Sequence, residues 1–551
     1  MASKTEHHPI HDKKDDLIHE TIQRTPTIAE GKVDSVNRSR NATAVEHSMT
    51  LIDACRGFWP AILWSCMFSL GVVMAGFDPQ LVGSLIAIPE FQRDFGVQTK
   101  DGDWDIQAKW QSAFNLTSPL GAVFGSYMIG WPLDRYGRRW TMAGCCVVSI
   151  IAVAIQVSAQ NKAQILVAEL VNGLVVGAYP VVAPTYISEV TPVILRGIVA
   201  ASVNFNFVLG QLICSLILLG TQGRSDRWAY DIPFACQWSF PIIILACLFY
   251  APESPWWLIR QDRKADARHA LQRLTTETVN VDDLLAHVEI TTQMEYELES
   301  QSSFLDMFKG TDLRRTIISS MVYCIQVFSG TGLVINYCVY FFQLAGLADG
   351  VSFRMGCGVL GVGLLATVLS WGLIHYFGRR ILYMGGLISL TVVLLLIGLL
   401  DVQPSYDTNS ALRWVESAMM LLWNFVYDLT IGAVCFVIMC EVSSARLRGK
   451  TIAFASAAQF LANFVAVVGI PYAINPSNGN MRGKLAFVYL GICIPCITYC
   501  WFCLPETKGR TFEELDLMFE RGVPTRKFGT YVFEDEVHNA NVPRRVSENT
   551  V

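Results

Sequence analysis

The stretch Asp134-Arg-Tyr-Gly-Arg-Arg139 lies between two long apolar runs, and a related stretch, His375-Tyr-Phe-Gly-Arg-Arg380, lies between two others 241 residues later. Charged residues are costly inside a bilayer and collect at the ends of spanning helices. The two stretches therefore mark equivalent turns between spans in two halves of one chain.

Two further pairs of motifs recur at nearly the same separation. Glu189-x6-Arg196 returns as Glu441-x6-Arg448 after 252 residues, and Pro252-Glu253 returns as Pro505-Glu506 after 253 residues. A repeat of this length predicts two related bundles about an axis along the membrane normal. A solenoid would instead repeat every ~20–50 residues.

Twelve apolar runs of spanning length, about 20 residues each, surround these motifs, six on each side of a charged stretch. They lie at 58–78, 109–131, 140–159, 164–186, 197–220, 232–250, 316–344, 352–374, 381–400, 413–439, 451–473 and 484–504. The sequence therefore predicts an all-α membrane protein with twelve transmembrane helices in two six-helix, pseudo-symmetric halves. The lipid bilayer is its expected environment.

The distribution of Lys and Arg predicts the orientation. The two tails, the central stretch and the short loops on one side hold 32 of the 42 basic residues. Basic residues favour the cytoplasmic side, so both termini are expected in the cytoplasm. The expected divisions are a disordered cytoplasmic tail, an N-terminal six-helix bundle, a cytoplasmic linker with short amphipathic helices, a C-terminal six-helix bundle and a cytoplasmic tail. They cover 1–55, 56–250, 251–315, 316–504 and 505–551.

The composition of the 551 residues excludes several classes of protein. Hydrophobic residues make up 52% and charged residues 16%, with a net charge of −5, so neither a set of soluble domains nor a nucleic-acid partner is expected. No catalytic or nucleotide-binding motif is present, which argues against an enzyme and predicts no cofactor. Cys493, Cys496, Cys500 and Cys503 lie at helical spacing, which favours a packing stripe over a metal site.

Four acidic residues fall within otherwise apolar runs; Glu416 lies near a span end and is expected at the interface, which leaves Asp78, Glu169 and Asp428. An intramembrane acid costs about 2.5–3.5 kcal/mol on insertion scales and therefore indicates a functional site. With no basic partner in these spans, Asp78 and Glu169 would repel each other, which favours proton binding and predicts proton coupling. The alternatives are a hydrated helix cap for Asp78 and a bond from Thr430 or Tyr427 for Asp428.

Amide and aromatic side chains also occur within the spans. The candidates for substrate binding are Gln211, Gln326, Tyr337, Phe436 and Asn463. Amides supply donors and acceptors and rings stack on C–H faces, which suits a neutral polyhydroxylated small molecule. The alternative is that the amides only bond one membrane helix to another.

The charged repeats predict a cytoplasmic gate, because Arg–carboxylate bonds at helix ends are strong and directional. The alternative is that they only fix the topology. The gate residues are Arg138, Arg139, Glu189, Arg196, Glu253, Arg379, Arg380, Glu441, Arg448 and Glu506.

Together these motifs resemble the sugar porter family of the major facilitator superfamily over about residues 56–528. Its matching elements are Gly76-Phe77-Asp78, Gly137-Arg138-Arg139, Gly210-Gln211-Leu212, Pro252-Glu253-Ser254-Pro255, Gly378-Arg379-Arg380 and Pro505-Glu506-Thr507-Lys508-Gly509. The stretches Tyr427–Gly432, Leu504–Asp516 and Phe519–Val523 look most like fungal α-glucoside (maltose-permease-like) proton symporters.

The resemblance implies the major facilitator fold and proton-coupled sugar uptake at the plasma membrane, with sugar contacts at Gln211, Gln326, Phe436 and Asn463 and proton handling at Asp78 and Glu169. The chain departs from the family pattern at Val327, Gly332 and Ala433. A carrier of a non-sugar fungal metabolite, by export or facilitated diffusion, and a non-transporting sugar receptor therefore stay open.

Overall fold

The computed structural model describes residues 50–98, 104–300, 303–344, 347–404, 409–444, 447–474, 479, 481–508, 510 and 512–531. The predicted disordered tail at 1–55 lies almost wholly outside these residues. Within them the chain is helical apart from one two-stranded hairpin, in which β1 (Val97–Gln98) pairs antiparallel with β2 (Trp104–Asp105).

The N-terminal half follows the apolar runs closely. After the short α1 (Leu51–Gly57) come α2 (Trp59–Leu85), the short α3 (Pro89–Phe95), α4 (Ala108–Met128), α5 (Gly130–Val157), α6 (Lys162–Val190), α7 (Val193–Thr221), α8 (Trp228–Cys236) and α9 (Ser239–Leu248). Helices α8 and α9 together form the sixth span.

The linker and the C-terminal half continue the pattern. The linker holds α10 (Pro255–Arg260), α11 (Lys264–Leu274), α12 (Val281–Ser300) and a 3-10 turn (Phe304–Phe308). The spans are built from α13 (Gly310–Phe328), a π-helical turn (Gly332–Asn336), α14 (Cys338–Leu344), α15 (Asp349–Tyr376), α16 (Arg379–Asp401), α17 (Ser410–Leu429), α18 (Ile431–Val442), α19 (Arg448–Ile474) and α20 (Leu485–Cys503). Short pieces at Arg482–Lys484 and Thr525–Lys527 and helix α21 (Phe512–Glu520) complete the chain.

Two C-terminal spans are interrupted where the sequence predicted continuous runs. Gly330 has φ +107°, a conformation that glycine adopts without a Cβ clash, and it separates α13 from the π-helical turn. Thr430, with φ −124° and ψ −86°, separates α17 from α18. Interrupted membrane helices place backbone and side chains at the middle of the membrane, where many transporters bind their ligands.

Eleven of the twelve predicted spans are long and apolar enough to cross a membrane. The exception among the described residues is α4, a helix of 21 residues. Its first half carries Gln111, Ser112 and Asn115, which lower its hydropathy. Helix α4 packs against α6 and against α19 of the other half, so these polar groups lie largely against protein.

The halves meet along two helix pairs, α4 with α19 and α7 with α15. Ser112 Oγ donates to the Val468 carbonyl at 3.4 Å, and Gln343 Nε2 donates to the Ala87 carbonyl at 3.1 Å. One buried apolar cluster contains residues of both halves, whereas a second lies within the N-terminal half. The halves are therefore packed together at the ends of the helices that carry Ala87 and Gln343, the predicted outer side.

Candidate functional site

Asp78 lies inside α2 rather than at the end of a span, because the helix continues to Leu85. Its side chain is fully buried. Oδ1 accepts a hydrogen bond from Asn172 Nδ2 at 2.6 Å, and Oδ2 accepts one from Ser118 Oγ at 3.0 Å. Asp78 is therefore a buried, doubly hydrogen-bonded carboxyl, and the hydrated-cap alternative is wrong.

Glu169 lies three residues before Asn172 on α6 and is also fully buried. The spacing places both side chains on one helix face. Gln156, near the end of α5, donates from Nε2 to Glu169 Oε1 at 2.9 Å. Asn172 also lies 3.4 Å from Gln237 Oε1. Five of the spans thus contribute to one buried group, which we call the carboxyl cluster: Asp78, Ser118, Gln156, Glu169, Asn172 and Gln237.

The carboxyl cluster holds more acceptors than donors. Among the described residues, Gln156 Oε1, Glu169 Oε2 and Asn172 Oδ1 are buried acceptor atoms without a hydrogen-bond partner, against one such donor in the cluster, Gln237 Nε2. Within the described residues, no hydrogen bond to either carboxyl comes from Lys, Arg or His. An added proton would convert one carboxyl oxygen into the missing donor.

Asp428 is separate from this cluster. It is 3% exposed, lies one residue before the end of α17 and two before the interruption at Thr430, and accepts from Asn424 Nδ2 at 3.2 Å. The Thr430 hydroxyl instead donates to the Val426 carbonyl at 2.6 Å, so the bond expected from Thr430 does not form.

The C-terminal half brings two predicted substrate residues into a group of amides and rings. Gln459 Nε2 on α19 donates to Gln326 Oε1 on α13 at 2.9 Å. The ring of Phe436 on α18 packs edge-on against Tyr323, with centroids 5.4 Å apart. Trp423 and Tyr427 on α17 stack at 5.2 Å. This arrangement offers both hydrogen-bonding edges and ring faces to a ligand.

The other three predicted substrate residues make fewer described contacts. Asn463 is partly exposed and lies one helical turn beyond Gln459 on α19. Gln211 lies on α7 in the other half and is 5% exposed. Tyr337 is 1% exposed. The structure gives no direct contact that joins these three to one another.

The N-terminal gate residues form one network. Arg138 Nη2 pairs with Glu189 Oε1 at 2.6 Å, and the backbone N–H groups of Arg138 and Arg139 donate to the Glu253 carboxylate at 2.9 and 3.2 Å. Arg139 Nη2 also donates to the Phe249 carbonyl at 2.9 Å. Burial by the surrounding protein raises the pKa of Glu253, against the opposing effect of its backbone N–H donors.

The C-terminal gate residues repeat this network. Arg379 Nη2 pairs with Glu441 Oε1 at 2.9 Å, the Arg379 N–H donates to Glu506 Oε1 at 2.9 Å, and Arg380 Nη2 donates to the Trp501 carbonyl at 2.7 Å. All of these bonds join parts of one half. The side chains of Arg196 and Arg448 lie outside the described part of the structure.

Sequence reasoning found the acids but missed most of their partners. Ser118, Gln156, Asn172 and Gln237 are polar residues in apolar helices, and each is unremarkable in its own segment. Gln459 carried a usable signal, because it precedes Asn463 by four residues and shares its helix face.

Comparisons with known proteins agree with this architecture. The sequence model of a family described as sugar (and other) transporters matches residues 64–519. The general alpha-glucoside permease of Saccharomyces cerevisiae is 33% identical over 512 residues, covering 91% of this chain and 82% of that protein. Maltose permease MAL31 of the same yeast is 30% identical over 504 residues, covering 90% and 81%.

Solved structures of the E. coli xylose transporter XylE share the fold. The proton:xylose symporter bound to 6-bromo-6-deoxy-D-glucose matches with a TM-score of 0.68 and 20% identity, covering 84% of this chain and 99% of that chain. The inward-open form matches with a TM-score of 0.65 and 20% identity, covering 83% and 99%. Both likenesses concern the arrangement of the helices.

Proposed function

The chain belongs to the sugar transporter family of the major facilitator superfamily, and we propose that it takes up a sugar together with protons by alternating access of its two halves. The substrate class is an α-glucoside or related oligosaccharide, or a hexose. The relatives named as α-glucoside and maltose permeases support this class.

The carboxyl cluster is the observation that carries the proton coupling. Two fully buried carboxyl groups share one amide network that contains more acceptors than donors. Binding one proton satisfies a buried acceptor and removes one of two neighbouring negative charges. Asp78 and Glu169 are the proposed proton-binding pair, and Asp428 is a third candidate at the interruption in the tenth span.

The amide and ring group supports a neutral sugar as ligand. Gln326 and Gln459 present donors and acceptors, and Phe436 and Tyr323 present ring edges and faces. We assign substrate contacts to Gln326 and Phe436, with Gln211, Tyr337 and Asn463 as further candidates. The ligand would lie between the halves, because Gln211 belongs to one half and the others belong to the second.

The two charged networks would control access from the cytoplasm. Each joins helix ends of its own half, so we propose that it acts by fixing the shape of that half rather than by bridging the halves. Opening toward the cytoplasm would then require these bonds to rearrange within each half. The plasma membrane, with both termini in the cytoplasm, is the proposed location.

Uptake of labelled maltose by proteoliposomes tests the function. We expect maltose to accumulate inside when the outside is more acidic, and only to equilibrate when an ionophore collapses the gradient. Accumulation that ignores the gradient would contradict the coupling. Failure of maltose, other α-glucosides and hexoses alike to enter would contradict the sugar assignment and favour a non-sugar metabolite or a receptor role.

A further inference from the structure

After the last membrane helix, the chain folds back onto the C-terminal half. Residues 512–531, which we call the tail segment, comprise α21 and the 3-10 turn Thr525–Lys527. Five of its apolar side chains are at most 7% exposed: Leu515, Met518, Phe519, Val523 and Phe528. The tail segment is therefore docked on the protein, whereas the sequence alone suggested only a cytoplasmic tail.

Arg315 is the main point of attachment. It lies near the start of α13, is 4% exposed, and forms an ion pair with Asp516 of the tail segment. Its guanidinium lies over the Phe519 ring, 4.7 Å from the centroid. On its other side, Arg315 Nε donates to the Val442 carbonyl at 2.7 Å. A single buried arginine thus joins the tail segment to the end of α18.

The end of α18 carries a gate residue. Val442 follows Glu441 directly, and Glu441 pairs with Arg379 and accepts from Thr507 Oγ1 at 2.5 Å. Because α18 is separated from α17 by the interruption at Thr430, its far end depends on such contacts for its position. Arg315 supplies one of them.

The second part of the tail segment reaches the other gate arginine. Thr525 Oγ1 donates to the Phe502 carbonyl at 2.9 Å, and the Arg526 guanidinium lies 5.0 Å from the Trp501 ring centroid. The Trp501 carbonyl is the acceptor for Arg380. The tail segment is therefore linked through Arg315 to the end of α18, which bears Glu441, and it directly contacts Trp501 and Phe502 beside the acceptor of Arg380.

The N-terminal half has an equivalent support of a different kind. There the linker fulfils the role, because Trp257 Nε1 of α10 donates to the Asp134 carbonyl at 2.9 Å, beside the first gate arginines. We propose that Arg315 and Asp516 are positioning residues that set Glu441 for Arg379 through the end of α18. The transport readout of this proposal rests on the proposed function.

Asp516→Asn is the central test because it removes the charge and keeps the shape. Losing a charge-assisted hydrogen bond should lower the maximal rate of maltose uptake about tenfold, with KM changed by less than about twofold, because the gate and not the ligand site is affected. Asp516→Glu should restore most of the rate. Glu520→Gln, an exposed position on the same helix, is the matched control and should behave like the wild type.

A second readout is independent of transport. Cys440 is exposed and immediately precedes Glu441, whereas Cys66 is exposed on α2 of the other half. We expect Asp516→Asn, and also Arg315→Lys, which cannot reproduce the Arg fork, to raise the rate of Cys440 alkylation by N-ethylmaleimide several-fold. The rate at Cys66 should stay constant, which also reports intact folding.

An unchanged maximal rate together with unchanged Cys440 alkylation in both variants would overturn the proposal, as would equal changes in Glu520→Gln. If the wild-type protein transports neither maltose nor other α-glucosides nor hexoses, the proposed function fails by that result alone. The ratio of Cys440 to Cys66 alkylation then still decides whether the tail segment positions the end of α18.

Discussion

At the scale of single residues, the buried acids were predictable and their environment was not. A charge within an apolar run is visible in the sequence, and Asp78 and Glu169 were found in this way. Their hydrogen-bond partners Ser118 and Asn172 lie 40 and 94 residues from Asp78. Contacts over such distances depend on how the helices pack, and no local pattern encodes them.

Asp78→Asn tests the role of the carboxyl cluster. The amide keeps the hydrogen-bonding shape but cannot bind and release a proton, so accumulation of maltose driven by an acidic exterior should be lost. Exchange of labelled for unlabelled maltose across the membrane needs no net proton movement and should persist. Both rates can be measured in one proteoliposome preparation, and gradient-driven accumulation by the variant would contradict the assignment.

Gln326→Ala tests the ligand site. It removes one amide and leaves the Gln459 amide without its partner, so the KM for maltose should rise about three- to tenfold, in line with a net hydrogen-bond contribution of about 0.5–1.5 kcal/mol. Ser215→Ala, at a buried hydroxyl that has no hydrogen-bond partner in the described part of the chain, is a suitable control. A wild-type KM in Gln326→Ala would remove this residue from the site.

Glu253 gives a prediction for the pH dependence of stability. Its raised pKa means that the folded protein binds this proton more tightly than the unfolded chain. Its contribution is therefore complete below the ordinary glutamate pKa of about 4.3 and is lost as pH rises through the raised value.

The thermal unfolding midpoint in detergent measures this effect. Over the acidic range, the unfolding midpoint of the wild type should fall relative to that of Glu253→Gln as pH increases. Glu506→Gln, the equivalent change in the other half, controls for the loss of a gate carboxylate. A difference that moves in the opposite direction would contradict the assignment.

At the scale of elements, the apolar runs predicted where helices occur but not where they are interrupted. The runs 316–344 and 413–439 are continuous in hydropathy, so the breaks at Gly330 and Thr430 were invisible. Helix α4 shows the opposite case, because its polar first half is tolerated through packing against α6 and α19. Hydropathy indicates which segments contact lipid. It does not indicate where the backbone of a helix is interrupted or which helices pack together.

Gly137 offers a test at this scale. It lies inside α5, where its φ of +87° breaks the helix and makes the turn that leads into the third span, and a Cβ there would collide with the Glu253 carboxylate and Trp257. Gly137→Ala should therefore destabilise the protein by at least about 1–3 kcal/mol and lower transport.

Gly144→Ala is the matched control, since it lies on the same helix with open space around its Cβ position. It should be neutral or stabilising by up to about 1 kcal/mol. Thermal unfolding of both variants in detergent separates the two outcomes. Equal midpoints would show that adding a Cβ at Gly137 does not strain the turn.

At the scale of the whole molecule, the internal repeat carried the architecture. Equivalent motifs at separations of 241 to 253 residues predicted two matched halves, and three hydrogen bonds in the network around Arg138 recur in the network around Arg379. The repeat did not predict that different segments contact the gate regions of the two halves: the linker in the N-terminal half and the tail segment in the C-terminal half. That asymmetry arises where the two halves connect to different continuations of the chain.

Proton movement evoked by maltose is the most direct measurement of coupled transport. With a pH-sensitive dye trapped inside proteoliposomes and no imposed gradient, external maltose should acidify the interior. The same addition should produce no signal with Asp78→Asn, nor with the wild type when mannitol replaces maltose. Entry of labelled maltose at the wild-type rate with no change in internal pH would contradict proton coupling.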